Sequence, residues 1–518
     1  MSNPIKVKDT EGNDVQLSLS ETQLTIDNLA TLEKQLLLFD TIYAVNHDKS
    51  NATLVIHVAL KDENTLVEKD KENTLQKRKT LTNIRPADVR WHLNQYTFHF
   101  RQSSNKKEES NDKYENSSTN SLKESIFIEQ LCQSTVPHQS KSSSTKVYVF
   151  LNPTSGEQQS GAYWKDIVKP MLLNAGFQEL NIAKINTERN GKTRVLAENL
   201  GRRIQLNEDG DLLDPIIISM GGDGTLHEIM NGLADAISDG MSGGVVTQQK
   251  QHRCFRVGVI PTGSGNAFAL GLNLQSVEHA AAKIIKGLEE KPFSFMDVKL
   301  GHVEHPERED WHNQSISYDN KGKPIRLLVV MSWGFHAQIV SKSRYLRYFM
   351  GNKRFSLVAM FLLLFLQQYE GELVLNNFKK YNPDTDMFVS TNDGDQLILS
   401  SNDQEQKKFT YFVVSKQHSL EKGFRIAPFA SPLTDDLDIV LMRNANADAL
   451  TKASMAAFQG GEHVKSSDVE YYKAKELLLR VKEKAELCLD GEVISLPAKG
   501  ILNVKVVTTD PSSFTIFV

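Results

Sequence analysis

Three glycine-bearing turns carry residue types suited to phosphate chemistry. One is Gly221-Gly222-Asp223-Gly224-Thr225. Its glycines let the backbone approach a charged ligand closely, and N–H groups at the head of a helix form a cradle for phosphate. Asp223 is the odd member. A carboxylate beside polyphosphate is repelled unless it has a task, either taking a hydroxyl proton or holding a magnesium ion that neutralises the phosphates. A bare Gly-Asp-Gly is ordinarily a turn and nothing more; here it joins an apolar strand to an amphipathic helix. A second strand-to-helix turn, Pro261-Thr262-Gly263-Ser264-Gly265-Asn266, offers glycine, hydroxyl and amide groups suited to phosphate or ribose. A third, Asn152-Pro153-Thr154-Ser155-Gly156, opens the first such unit. No GxxxxGK[ST] loop, protein-kinase catalytic-loop set or GxGxxG after the first strand is present, so the pattern points to a nucleotide site of another type.

The elements that must position these turns follow from periodicity. KVYVFLN, from Lys146, is a continuous apolar run, as in a strand buried on both faces. Trp164, Ile167, Val168, Met171, Leu172 and Ala175 form one helix face, with Gly176 at the C-terminal cap and Pro170 predicting a bend. LNIAKIN, PIIISM and FRVGVIP read as strands. TRVLAENLGRRIQL, TLHEIMNGLADAI and AFALGL read as the helices after them, with Leu226, Ile229, Met230 and Leu233 on one side of the second. Strand–turn–helix repetition predicts a parallel α/β sheet, whose ligands bind at the carboxyl ends of the strands, where the three turns would gather. Past residue 295 the alternation fades. IRLLVVMSWGF, FTYFVVSK, DIVLMR, ELLLRV and ILNVKVV predict an antiparallel sheet domain, with HVEHPEREDWHNQSISYDNKGK and PDTDMFVSTNDGDQ as loops.

The predicted organisation is therefore a β-rich region over 1–140, an α/β nucleotide domain over 145–295 and a β-sandwich over 296–518. In the first, TLVIHVAL and WHLNQYTFHFRQ read as strands. Residues 102–120 are too polar to pack and read as disordered, and SLKESIFIEQLCQ is amphipathic. Strands closed by one helix are compatible with a pleckstrin-homology-like module or with a β-rich extension of another kind.

The 518 residues fit roughly three domains at about 150 residues each. With 40% hydrophobic and 24% charged residues, the chain is neither collagenous, wholly disordered nor polytopic. A net charge of −4 gives no basic field for nucleic acid. Cys132, Cys254 and Cys488 suit neither a disulfide framework nor a zinc cluster, and point to a reducing cytoplasm. The start lacks the apolar core of a secretory signal. The longest apolar run, Leu357 to Leu366, is far short of the roughly 20 residues of a membrane helix. It predicts either a buried core helix or one that lines a lipid pocket.

SMGGDGTLHEIMNGL, with NPTSG upstream and PTGSGNAFALGL downstream, resembles the catalytic domain shared by diacylglycerol, ceramide and sphingosine kinases. The resemblance runs from about Lys146 to near the C-terminus, through FRIAPFASPLTDDLDIVLMR, GGEHVKSSDVEYYKA and LDGEVISL. The Gly-Ser-Gly-Asn-Ala form looks most like sphingosine kinases. NAD kinases share GGDGT but lack the HEIMNG continuation and GSGNAFALGL.

The resemblance implies an α/β domain like that of NAD kinases, which binds ATP, and an antiparallel β-sandwich that binds lipid. It implies ATP contacts from Asn152, Ser155, Gly156 and Thr187, phosphate contacts from Gly222, Gly224 and Thr225, and continuation of the nucleotide site through Gly263, Ser264, Gly265 and Asn266. Asp223 would be the general base on the lipid hydroxyl. Arg347 and Arg354 would stabilise charge on the transferring phosphate. Asp490, Gly491 and Glu492 would close the site, with Mg2+ held near Asp223 and Asp490. One departure stands out. Sphingosine kinases carry an aspartate shortly after Trp-Gly-Phe that pairs with the substrate amine. Here Trp333-Gly334-Phe335 is followed by His336-Ala337-Gln338-Ile339-Val340-Ser341, leaving Asp297 as another source of a carboxylate. His227 reads as structural, and His463 has no assigned role.

The expected activity is ATP- and Mg2+-dependent phosphorylation of a sphingoid long-chain base by a cytoplasmic protein in peripheral contact with membranes. The alternatives are a ceramide or diacylglycerol kinase, a catalytically weak lipid-binding scaffold, or an NAD kinase.

Overall fold

The computed structural model describes residues 3–61, 91–100, 112–188, 191–208, 210, 215–240, 253–303, 305, 314–318, 324–343, 353–390, 396–401, 407–481, 486–495, 502–509 and 511–518. The strands Ile182–Asn186, Val147–Leu151, Ile216–Gly221 and Phe255–Pro261 lie side by side in that order, all parallel. Every residue of Val147–Leu151 and Ile216–Gly221 is buried, which is why both read as unbroken apolar runs. The helices Lys192–Leu206 and Asp223–Gly240 pack against one another, and Val277–Lys286 packs against the Trp164–Asn174 segment. The bend predicted at Pro170 is a π turn over Trp164–Val168. The helix runs on unbroken through Lys169, so Pro170 sits directly after the π turn, where the widened register accommodates its ring and missing N–H. Gly176, at φ +88°, ends that helix as its sequence position suggested.

Two strands from outside this run complete the sheet. Phe514–Phe517 pairs in parallel with Phe255–Pro261, and Glu290–Pro292 pairs antiparallel beyond it. The predicted second-domain span of 296–518 therefore ends in a strand that belongs to the parallel sheet of the 145–295 span. Four letters, three of them apolar, carry no signal of which sheet they join.

The rest of the second half is two antiparallel sheets enclosing a core that includes Trp333, Phe409, Phe412, Leu373, Leu479 and Val504. Ile316–Tyr318 and Met387–Ser390 are short strands inside segments that read as loops. Their few apolar residues, among polar neighbours, show no period.

The N-terminal region is a seven-stranded antiparallel sheet between Ile5 and His99, closed by the helix Asp112–Thr135. Phe127 and Leu131 of that helix enter the same core as Leu17, Leu24 and Ile56. The helix corrects the expectation of disorder over 102–120: residues 112–120 are helical, and 102–111 lie outside the described residues. This region packs directly on the parallel α/β domain. Lys286 Nζ donates to Phe39 O at 2.8 Å, Asn46 Nδ2 to Asn174 O at 2.9 Å, and Trp91 stacks on His279 with ring centroids 5.1 Å apart.

Candidate active site

The three glycine turns meet at the carboxyl ends of the parallel strands, and hydrogen bonds join them in pairs. Asn152 Nδ2 donates to Thr225 Oγ1 at 2.8 Å. Thr262 N donates to Gly221 O, and Asp223 N to Gly265 O, each at 3.1 Å. The approach is too close for side chains. A Cβ on Gly222 would stand 2.6 Å from Gly265 O, and one on Gly156, at φ +51°, 2.0 Å from Thr262 O. Asn266 braces its own loop, taking Gly263 N–H at 3.2 Å and donating to Gly263 O at 2.6 Å. Gly224, Ser264 and Gly265 remain exposed on the rim. Ser155 is buried. Thr187 sits next to the first turn, its N–H donating to Leu151 O at 2.9 Å.

Asp223 is the first residue of its helix, and its carboxylate reaches across to the next turn. Oδ2 accepts from Ala267 N at 2.8 Å and Oδ1 from Phe268 N at 3.0 Å. Burial pushes its pKa up from 3.8 to about 6. The two N–H donors oppose that shift, and the charge of Asp490 adds to it. A carboxylate has about four lone-pair sites, so Asp223 keeps two for a ligand.

Asp490 and Gly491 form a two-residue hairpin loop, both with positive φ (+49° and +87°), between Glu486–Leu489 and Glu492–Ser495. The Asp490 side chain turns back into the protein. Oδ1 accepts from Val329 N (3.0 Å) and Val330 N (2.8 Å), and Oδ2 from Leu328 N (2.7 Å), with His227 Nδ1 in hydrogen-bond contact with Oδ2 at 2.9 Å. Four hydrogen-bond partners, three of them backbone N–H groups, surround its two oxygens, so as arranged Asp490 is turned away from the Mg2+ expected there. Among the described residues, no group of three His, Cys, Asp or Glu side chains is placed to hold a metal.

Residues 146–298 match the family model of the diacylglycerol kinase catalytic domain, and residues 331–517 match the YegS C-terminal NAD kinase beta sandwich-like domain. The chain is a lipid kinase of the diacylglycerol kinase family. The chain is 25% identical over 346 residues to a diacylglycerol kinase of Bacillus subtilis (strain 168), an alignment covering 66% of this chain and 88% of that one. It is 28% identical over 229 residues to sphingosine kinase 2 of Homo sapiens, covering 44% of this chain and 30% of the relative. A solved diacylglycerol kinase from Bacillus anthracis str. Sterne matches 72% of this chain and 96% of its own at 17% identity and a TM-score of 0.42.

In the second domain, Phe335–Ser343 is a helix leaving the strand Val330–Gly334. His336 bonds Ser332 Oγ at 2.7 Å and lies edge-on to Tyr411; burial lowers its pKa to about 4, which keeps it uncharged near neutrality. Gln338 donates to Gln367 at 2.7 Å. Asp297 stands in a different strand, opposite Arg326. Of the two readings of Leu357–Leu366, the wholly buried core helix does not hold, although Ala359, Leu362, Leu363 and Leu366 pack partly buried against the core. The helix Lys353–Leu363 buries Val358 but leaves Met360, Phe361, Leu364 and Phe365 between 61% and 74% exposed, on or just beyond its last turn. No helix among the described residues is long and apolar enough to cross a membrane.

Arg347 lies outside the described residues, and Arg354 is placed by its backbone alone, as the second residue of the Lys353–Leu363 helix. Glu492 is exposed beside the hairpin turn. Sequence reasoning missed two arrangements. One is His227 on Asp490, signalled only by its position one helical turn after Asp223. The other is a buried clamp in which Asp235 takes Arg194 at 2.8 and 3.0 Å and Arg326 at 2.9 Å. Asn231 Nδ2 adds bonds to His227 O and Arg326 O, each at 3.0 Å. Together they tie the Asp223–Gly240 helix to the entry of the second domain. A lone polar residue in a helical pattern looks like a solvated face until its partner's position is known.

Proposed function

We propose that this lipid kinase moves the γ-phosphoryl group of ATP to the primary hydroxyl of a sphingoid long-chain base. The observation that carries the ATP assignment is the convergence of the three turns, where even a methyl group on Gly222 would strike the neighbouring backbone. Such a cradle suits a polyphosphate, with Gly224, Ser264 and Gly265 left open to meet it. Asp223, with two lone-pair sites remaining, fits one protein ligand to Mg2+; phosphate oxygens and water would supply the others, as Mg2+ in kinases commonly requires. When bound, the ion supplies charge neutralisation. The same two sites equally suit a base on the lipid hydroxyl. Asn152 and Thr225 hold the 152–156 and 221–225 turns together, and Asn266 holds the 261–266 turn in shape. Because the phosphoryl transition state is loose, this positioning is where most of the catalysis would lie. The apolar ridge of Met360, Phe361, Leu364 and Phe365 supports peripheral contact with a membrane, from which the lipid must be drawn.

A second reading, an acceptor with an uncharged head group such as diacylglycerol or ceramide, is favoured by the helix after Trp333-Gly334. His336 is held neutral and Gln338 is an amide. An ammonium group buried against them would lack the carboxylate that offsets its desolvation. Purified protein with labelled ATP, Mg2+ and a panel of sphingosine, ceramide and diacylglycerol in mixed micelles tests both readings. Sphingosine 1-phosphate as the main product supports the first. Phosphatidate or ceramide phosphate replaces it with the second. NAD turnover with indifference to every lipid refutes both.

A further inference from the structure

We propose that the 29–32 hairpin tip of the N-terminal sheet is a membrane anchor, which sets its leucines into the surface of a bilayer without net charge. This goes beyond the phosphoryl-transfer reading; from the family it takes only that the acceptor is a lipid.

The tip joins the strands Gln23–Asn28 and Lys34–Leu38. Its residues Leu29, Ala30, Thr31 and Leu32 are all exposed, Leu32 at 87%. The strand that leaves it turns Leu36 and Leu38 outward too, while Leu37 between them enters the core. Single apolar side chains on a surface are ordinary. Four exposed leucines in one turn and the strand after it are not.

The tip is built, and one of its leucines is held under strain. Asn28 Oδ1 accepts from Ala30 N at 3.0 Å and Thr31 N at 3.1 Å. Asn28 N donates to Glu33 O and Leu32 N to Asn28 O, each at 2.9 Å, and Leu29 N donates to Asp14 O at 3.0 Å. This frame keeps Leu32 at φ +59°, a left-handed conformation that glycine or asparagine adopts far more readily than a bulky side chain. Packing inside the chain does not offset that strain, because the side chain stands in solvent. A leucine at this position gains only where something outside the chain covers it.

Place and charge identify the cover. The tip stands clear of the α/β domain: the strand Lys34–Leu38, about 17 Å long at ~3.4 Å per residue, separates it from Phe39, whose carbonyl takes Lys286 at the contact between the two regions. A lipid acceptor resides in a bilayer, so a bilayer is a surface this chain has to meet. A four-residue tip is far short of the roughly 800 Å2 per partner of a stable protein interface, whereas a head-group layer needs no matching surface. Charge then selects the bilayer. Around the base of the tip lie the carboxylates of Asp9, Glu11, Asp14, Asp27 and Glu33 against only Lys8 and Lys34. Those two ammonium groups stand 3.9 Å from Asp14 and 4.0 Å from Asp27. In the neighbouring 9–13 turn, Asp9 takes the N–H groups of Glu11 and Asn13 at 2.9 and 2.8 Å, so neither is free for a phosphate. Net negative charge here repels anionic head groups and leaves uncharged or zwitterionic ones. The tip is one contact of two, the ridge at Met360, Phe361, Leu364 and Phe365 being the other, as stable peripheral attachment generally requires.

Vesicle flotation of the full chain reads the anchor without any substrate. It compares wild type, Leu29→Ser/Leu32→Asn and Leu32→Asn alone on phosphatidylcholine vesicles, with and without phosphatidylserine, while thermal melting and light scattering follow fold and oligomeric state. Wild type should float with phosphatidylcholine. The double variant should lose at least about tenfold in affinity and the single variant at least about threefold, from the apolar surface no longer covered. Added phosphatidylserine should weaken wild-type binding, and salt should restore it. Asparagine suits the left-handed position, so Leu32→Asn should melt no lower than wild type; if the double variant melts early, the single variant decides alone. Wild type that fails to float, variants that float within about twofold of it, or binding that requires anionic lipid overturns the inference. So does a wild-type dimer that the variants convert to monomer, which would make the cover a second copy of this chain. Turnover of acceptor in detergent micelles should be the same in all three proteins, so failure of the kinase reading shows itself separately.

Discussion

Asp223 offers a test that needs no substrate. Its carboxyl holds its proton more tightly in the folded protein, with a pKa of about 6, than in the unfolded chain, at 3.8. The stability this provides is complete below about pH 3.8 and is lost as pH rises through about 6. At 1.36 kcal/mol per pKa unit the loss amounts to about 3 kcal/mol. Asp223→Asn removes the titration. The amide can accept from only one of the Ala267 and Phe268 N–H groups and turns its own N–H2 toward the other, a cost of about 1–3 kcal/mol at every pH. The stability of the variant minus that of wild type should therefore rise by about 2.4 kcal/mol between pH 4 and pH 7, the rest of the loss falling below pH 4. Urea unfolding of both proteins in matched buffers measures this difference, and groups common to both cancel. Two curves running parallel across that range would show an ordinary, solvated carboxylate and refute the claim that burial controls it.

Four further outcomes follow from the geometry. Gly222→Ala should weaken binding of a nonhydrolysable ATP analogue at least about tenfold while far-ultraviolet circular dichroism stays unchanged, because the new methyl group pushes the Gly265 carbonyl out of the cradle; calorimetry reads it. Asn152→Ala, which frees the first turn from Thr225, should cost about 1 kcal/mol in urea and raise KM for ATP. Asp235→Leu leaves Arg194 and Arg326 facing one another without their shared carboxylate, and should destabilise by about 3–5 kcal/mol in the same assay. Lys286 is held by burial at a pKa of about 8, so wild type should gain about 3 kcal/mol over Lys286→Met between pH 8 and 10.5, as the unfolded chain stays protonated longer than the folded one.

The nucleotide domain was legible because its physics is local. Strands buried on both faces announce themselves as unbroken apolar runs, and a glycine turn between such a strand and an amphipathic helix can only fall at the carboxyl edge of a parallel sheet. The meeting of Asn152, Asp223 and Asn266 followed from that. What stayed hidden depends on distant partners. Asp490 reads as half of a ligand motif, yet the backbone of residues 328–330 fills its oxygens. His227 reads as a helix residue because its aspartate lies 263 positions away. The Leu357–Leu366 run left two readings open for another reason: apolar letters report a preference for leaving water, and do not say whether protein or lipid is to cover them.

The strand Phe514–Phe517 lies against Phe255–Pro261, with Phe514, Ile516 and Phe517 almost wholly buried. On a ribosome, the catalytic half emerges long before that strand exists. Until then the edge at Phe255 carries unsatisfied amides and an uncovered apolar surface, a template for wrong pairing. Chaperone demand should therefore persist through synthesis of the whole β-sandwich. A fragment cut near residue 295 should aggregate where the full chain stays in solution.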